Sequence, residues 1–272
     1  VEIEPGSGSF LLEGGPGYGE RTVRVFYHRP RDISPESPVI IVVPGAGRNG
    51  DDYRDAWVEA SEEHGVLVLS PRYPERYYPE YWSYNLAGMT SEVTIELTTR
   101  IDTDPDEWKL DDATAGLDSA LTVHPHELFG HGSFGRILQQ MVLLNAADRI
   151  VDARPRAAGV EVNPDRRDWL FADFDRIFET GREALDLEAE SYDMFGHSAG
   201  GQILHRLVLF RPNSRADRIL AANSGWYTVP TLDVDFPYGL GDTPSTEEQL
   251  REAFAADLVV FLGELDDADE TR

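Results

Sequence analysis

The stretch Ala189-Glu190-Ser191-Tyr192-Asp193-Met194-Phe195-Gly196-His197-Ser198-Ala199-Gly200-Gly201-Gln202-Ile203-Leu204-His205 decides the fold. Tyr192, Met194 and Phe195 read as the end of a buried strand. Gly196-His197-Ser198-Ala199-Gly200 fits Gly-x-Ser-x-Gly. Ile203, Leu204, Leu207 and Val208 follow at helical spacing. Strand, sharp turn and helix is the context that gives this motif meaning. The turn is so tight that the positions two before and two after the serine must be nearly free of side chain. It lifts Ser198 Oγ to the carboxyl edge of a sheet and leaves the Ala199 N–H facing outward.

Working outward, Val39-Ile40-Ile41-Val42-Val43 is a continuous β-branched run, as expected of a parallel strand covered on both faces. It ends in Pro44-Gly45-Ala46-Gly47-Arg48-Asn49-Gly50, whose small residues let backbone amides approach a ligand. Beside Ser198, this loop reads as the other half of an oxyanion hole, with Ala46 or Gly47 supplying the second N–H. It has neither the Gly-Lys-Ser/Thr ending of a P-loop nor dinucleotide-site spacing. Asp52 to His64 reads as a helix stopped by Gly65, and Val66-Leu67-Val68-Leu69 as the next buried strand. Pro71 to Tyr84 is dense in aromatics, and reads either as a pocket wall carrying Trp82 or as a packed surface loop.

Residues 1–20 read as a loop or short edge hairpin, and Thr22 to Tyr27 as a strand exposed on one face. Residues 101–167 read as an insertion, a lid over the site. Within it, Asp102 to Asp112 is loop-like, Ile137 to Val151 a helix and Arg154 to Asp168 a connector. His124-Pro125-His126-Glu127 with His131 invites a metal reading, but Pro125 breaks the spacing and no His-Glu-x-x-His is present, so no metal or other cofactor is expected. Asp168 to Leu187 is an amphipathic helix with Leu170, Phe171, Phe174, Ile177, Phe178 and Leu185 on one face. Arg218 to Asn223 is a strand ending in Ser224-Gly225-Trp226-Tyr227. Glu247 to Phe254 is a helix capped by Ser245 or Thr246. Leu258 to Leu262 is a last buried strand. Strands alternating with helices give one α/β domain with a doubly wound, mostly parallel sheet, its core at 21–100 and 168–272.

A serine hydroxyl needs a base, and the base needs a carboxylate. Asp266, just past the last strand, is the candidate acid, with Asp267 as the neighbouring alternative. The seven histidines are His28, His64, His124, His126, His131, His197 and His205, and none follows Asp267. The chain also begins with Val1. The expectation is a chain truncated at its C-terminus, with the strand–loop–helix that carries the base beyond residue 272. The alternative is an insertion histidine reaching Ser198.

Composition narrows the partners. Asp and Glu number 50 against 24 Lys and Arg, for a net charge of −26, and Lys109 is the single lysine. Such a surface repels nucleic acid and anionic membranes. It reads as either a salt-adapted surface or the product of a coding bias toward arginine. Cysteine is absent, which excludes disulfides and thiolate metal sites. No run approaches the ~18 apolar residues of a membrane helix.

Pro44-Gly45-Ala46-Gly47, Tyr81 to Leu86, Gly196 to Gln202, Ala222 to Tyr227 and Gly263-Glu264-Leu265-Asp266 together resemble bacterial α/β-hydrolases of the poly(3-hydroxybutyrate) depolymerase and feruloyl-esterase-like group. The resemblance spans roughly 21–100 and 168–270. It implies an α/β-hydrolase fold, Ser198 as nucleophile, Asp266 as triad acid, and Ala199 with Ala46 or Gly47 as oxyanion donors. His197, Trp82 and Trp226 are the candidate pocket residues. The expected activity is hydrolysis of a small or polymeric carboxylic ester through an acyl-enzyme. The alternatives are a serine peptidase on the same fold and a binding module that has lost its base.

Overall fold

The computed structural model describes residues 1–14, 21–78, 83–101, 121–123 and 150–264. The chain divides into two compact units, Val1–Met89 with Pro164–Arg272, and Thr90–Asn163.

The first unit is built on a seven-stranded sheet, in spatial order β1 (Gly6–Glu13), β2 (Thr22–Arg29), β4 (Leu67–Arg72), β3 (Val39–Val43), β8 (Tyr192–His197), β9 (Ala216–Ala222) and β10 (Asp257–Phe261). β1 and β2 pair antiparallel as an edge ribbon, and β2 pairs antiparallel with β4. From β4 to β10 every pairing is parallel. The β-branched run of β3 is buried along its whole length, as a strand with both faces covered must be.

Period-two alternation sorts the side chains to the two faces. Ile40, Val42 and Val68 point one way, under Tyr53, Trp57 and Phe195. They are covered by α1 (Gly50–Asp55) and α2 (Val58–His64). The single helix expected here is interrupted by a turn at Ala56 and Trp57, where Trp57 (φ −104°, ψ −1°) lays its ring against Phe195 at 5.4 Å. Leu67 and Leu69 point the other way, onto Gly181 of α3 (Phe171–Leu185). Phe174, Ile177 and Phe178 of α3 are fully buried there, each contributing ~1.5–3 kcal/mol. Leu185 is only half-buried, and Leu187, just beyond the helix, takes the core position instead. α4 (Ala199–Phe210) shares this face, with all 12 residues buried. α5 (Glu247–Ala253) is capped by Thr246, not Ser245, in a reciprocal capping box with Gln249.

The last strand departs from expectation. Leu258 to Leu262 is apolar, yet Val259, Val260 and Phe261 are 38–47% exposed. β10 is an outer strand, bonded only to β9 among the described residues, so its apolar side chains have cover on one flank alone.

The second unit is a three-stranded antiparallel sheet, in the order β6 (Leu121–Val123), β5 (Thr90–Ile101), β7 (Ile150–Val162). Arg154 onward is therefore not a connector, and Ile150 and Val151 are not helical. Pro155 and the charges around it argue against a central strand. Among the described residues β7 is an outer strand of its sheet, where a missing N–H is tolerated. The acidic stretch 102–112, residues 137–149 of the expected helix, and His124, His126 and His131 lie outside the described residues.

Candidate active site

Ser198 stands between the end of β8 and the start of α4. Its backbone is at φ 57°, ψ −116°, outside the regions open to an L-residue without strain. That conformation is held from both sides. The Ser198 N–H donates to Ala222 O of β9 at 2.9 Å, and its carbonyl accepts from Gln202 N at 3.0 Å. The collar is as tight as the motif requires. A Cβ on Gly196 would lie 2.6 Å from the Gly200 backbone, and one on Gly200 would lie 2.1 Å from Val43 O. Ser198 is half-buried, and Ala199 opens α4 as its first residue. The first amides of a helix have no intrahelical acceptor, so the Ala199 N–H is available to an incoming oxygen.

The glycine loop after β3 lies alongside. A Cβ on Gly45 would lie 3.5 Å from Ser198 Cβ. The Arg48 N–H donates to Gly45 O at 3.0 Å, closing a turn with Ala46 and Gly47 exposed at its corner. Neither corner amide donates to a backbone carbonyl among the described residues. The loop is supported from beneath by Tyr84, whose hydroxyl donates to Pro44 O at 2.9 Å, and whose ring carries the Arg48 guanidinium at 4.8 Å. Burial pushes the Tyr84 phenol well up, so it stays a donor at any working pH. Tyr73, Tyr78 and Tyr84 are all buried and pack together, with Tyr73 at 5.2 Å from Tyr78 and 6.1 Å from Tyr84. These three belong to the core, not to a pocket wall.

His197 is exposed, and its Nδ1 meets the Tyr53 hydroxyl at 3.0 Å. Trp226 is half-buried in the loop after β9, with its ring 5.4 Å from that of Tyr238. Trp82 and the candidate acids Asp266 and Asp267 lie outside the described residues.

None of the four described imidazoles is bonded to Ser198. His28 is held between Ser7 Oγ at 2.8 Å and Glu62 Oε1 at 3.0 Å. His64 is the exposed last residue of α2. His205 is buried on α4, where its Nε2 accepts the Thr228 N–H at 3.0 Å. That acceptor fixes the neutral tautomer with the proton on Nδ1, which donates to Gly201 O at 3.1 Å. Burial, with the Arg206 charge beside it, pushes the His205 imidazole down to about 3. His205 is a structural histidine. Among the described residues, no group of three or more His, Cys, Asp or Glu side chains could hold a metal ion, and no helix is long and apolar enough to cross a membrane.

Sequence reading passed over two contributors. Tyr53 falls within the helix expected over Asp52 to His64, and nothing in its spacing marks it as a partner of His197. Arg206 did leave a signal. It is the one charge in Ile203-Leu204-His205-Arg206-Leu207-Val208-Leu209-Phe210, where an apolar side chain would serve a purely structural helix.

The strand order, the parallel core with an antiparallel flank and the strained serine after the fifth strand of the first unit define an α/β-hydrolase fold. Comparison with solved structures agrees. The chain is similar to poly(aspartic acid) hydrolase-1 from Sphingomonas sp. KT-1, at 28% identity and a TM-score of 0.68, covering 99% of this chain and 77% of that one. It is also similar to a poly(3-hydroxybutyrate) depolymerase from Bordetella parapertussis, at 26% identity and a TM-score of 0.66, covering 97% and 68%. No protein-family model matches the chain, and no curated protein sequence does. The chain thus has the α/β-hydrolase fold and is similar to a poly(aspartic acid) hydrolase and a poly(3-hydroxybutyrate) depolymerase.

Proposed function

We propose that the chain is a serine hydrolase of carboxylic esters. Ser198 Oγ attacks the ester carbonyl carbon while a histidine takes the hydroxyl proton. The oxyanion is held by the Ala199 N–H and by the N–H of Ala46 or Gly47. The intermediate collapses, the alcohol leaves with the proton, and water then hydrolyses the acyl-serine. The assisting carboxylate is Asp266, with Asp267 as the alternative. His197, Trp82 and Trp226 border the substrate. The observation that carries this reading is the Ser198 backbone at φ 57°, ψ −116°, set against a glycine loop. Strain of this kind persists where the surroundings enforce it, and it clusters at functional sites.

A second reading, amide cleavage, is favoured by the relative that hydrolyses poly(aspartic acid). Two arguments rank it below the ester. An amine is a poorer leaving group and must be protonated as it departs. Poly(aspartic acid) is a polyanion, and a chain of net charge −26 repels it at long range. A neutral polyester or a short-chain ester meets no such barrier.

The test pairs p-nitrophenyl butyrate with aminoacyl p-nitroanilides, using wild type and Ser198→Ala. The expected result is ester turnover lost in the variant, with little anilide turnover in either. Undiminished ester turnover in Ser198→Ala rules out the mechanism. Faster anilide cleavage, abolished by the same substitution, replaces the ester with the amide.

A further inference from the structure

Arg206 is fully buried near the middle of α4 and forms no ion pair among the described residues. A buried cation with no counter-ion is costly, and an apolar side chain would fill the same space more cheaply. Burial pulls its guanidinium down to about 9. What it touches explains why it is there. Nε donates to Thr228 Oγ1 at 2.9 Å, and Nη1 donates to Asn85 O and to Gln202 O, each at 3.0 Å. The guanidinium carbon lies over the Trp226 ring, 4.2 Å from its centre. Thr228 Oγ1 in turn donates to Pro237 O at 2.7 Å. His205 completes the set, accepting the Thr228 N–H and packing its ring 5.1 Å from Tyr227.

We infer that Arg206 is a positioning residue that sets the Trp226 wall of the substrate pocket against the nucleophile. This rests on the ester-hydrolase reading of Ser198. Two consecutive side chains of the nucleophile helix, His205 and Arg206, grip three consecutive residues of the loop after β9, Trp226 to Thr228. The same guanidinium reaches the segment after β4 through Asn85 O. Ser198 begins the helix that carries both grips. The nucleophile and the two flanking segments are thereby referred to one rigid element. Only a planar fork can serve this arrangement, because it must donate in several directions while stacking on an indole. The Nη2 group, buried without a partner among the described residues, and the buried Gln202 Oε1, Asn85 Oδ1 and Ser224 Oγ, likewise unpartnered among them, mark the same polar seam.

The experiment compares Arg206→Lys, Arg206→Met and Thr228→Val with wild type. Thr228→Val removes one acceptor of the guanidinium without touching the buried charge, so it remains informative should Arg206→Met fail to fold. Two readouts are taken. KM and kcat for p-nitrophenyl butyrate report on the wall as substrate meets it. Acrylamide quenching of Trp226 emission, isolated by subtracting Trp226→Phe, reports on the wall without any turnover. The expected result is a KM raised about tenfold in Arg206→Met and about threefold in Thr228→Val, with kcat within about twofold. Arg206→Lys should be intermediate, and quenching should rise in the same order. Unchanged KM and quenching in Thr228→Val and Arg206→Lys, with only the melting temperature lowered, would reduce Arg206 to a core residue. Wild type without ester turnover would end the reading of Ser198, and the quenching series would still decide Arg206.

Discussion

Replacing Ser198, the proposed nucleophile, by glycine should stabilise the protein. Ser198 sits at φ 57°, ψ −116°, where a side chain is strained and glycine is not. Residues held in such regions cost about 1–3 kcal/mol. Glycine brings its own penalty, a more flexible unfolded chain, of about 0.5–1 kcal/mol. A third contribution usually opposes a change at the start of a helix, the loss of a side-chain cap. Here it is absent, because the Ser198 side chain makes no capping hydrogen bond to α4. The balance favours Ser198→Gly by about 1 kcal/mol. For a domain of this size that raises the melting temperature by roughly 2–4 °C.

The control is Ser198→Ala, which removes the hydroxyl and keeps the Cβ responsible for the strain. Both variants should be inactive toward p-nitrophenyl butyrate, and only the glycine variant should gain stability. Thermal unfolding followed by circular dichroism, with urea unfolding at fixed pH and salt, measures the difference. A glycine variant no more stable than the alanine variant would mean that the elbow stores no strain. The link drawn from backbone geometry to nucleophile would then fail. A gain would show a stability sacrificed at a functional site.

Gly200→Ala places a methyl 2.1 Å from Val43 O, a backbone atom at the carboxyl end of β3, and should cost about 3 kcal/mol or more in urea unfolding. A loss below about 1 kcal/mol would contradict the close approach. His205 has a folded-state pKa depressed to about 3, against about 6.5 when unfolded. The stability this contributes is complete above about pH 6.5 and is lost as pH falls toward 3, at a rate approaching 1.4 kcal/mol per pH unit. Urea unfolding between those limits should show a shallower pH slope in His205→Gln than in wild type, and equal slopes would refute the assignment. The net charge of −26 predicts a melting temperature that rises when salt goes from about 0.1 M to about 1 M, as the Debye length falls from ~10 Å to ~3 Å. A flat profile would leave coding bias as the account of the arginine-rich, lysine-poor composition.

The elements around Ser198 were legible because several local signals agreed there. A β-branched run, a five-residue turn with small residues at fixed offsets and an apolar helical period each predict the same geometry. Where signals conflicted, the reading failed. Pro155 and the charges beside it spoke for a connector, and an outer-strand position reconciled them with β7. The apolar Leu258 to Leu262 spoke for burial, but composition cannot say whether a strand ends up outermost. The helix at Asp52 to His64 was read correctly in type and wrongly in continuity. The break serves the packing of Trp57 on Phe195, a contact between residues 138 positions apart in the chain. Long-range hydrogen bonds were the least legible of all. Nothing local joins Tyr53 to His197, or Arg206 to Asn85.

The site's construction makes α4 more than a support for Ser198. All 12 of its residues are buried, so the helix cannot shift without disturbing the core on every side. In the proposed mechanism its first amide donates to the oxyanion, and its second half grips the loop carrying Trp226. An error in placing that loop would loosen the wall against which substrate binds, a loss that falls on KM. A surface contact would hold the loop loosely. A buried guanidinium with three acceptors and an indole face holds it in one position, at the cost of burying a charge. That exchange of stability for geometry is the same one the strained backbone of Ser198 makes at the other end of the helix.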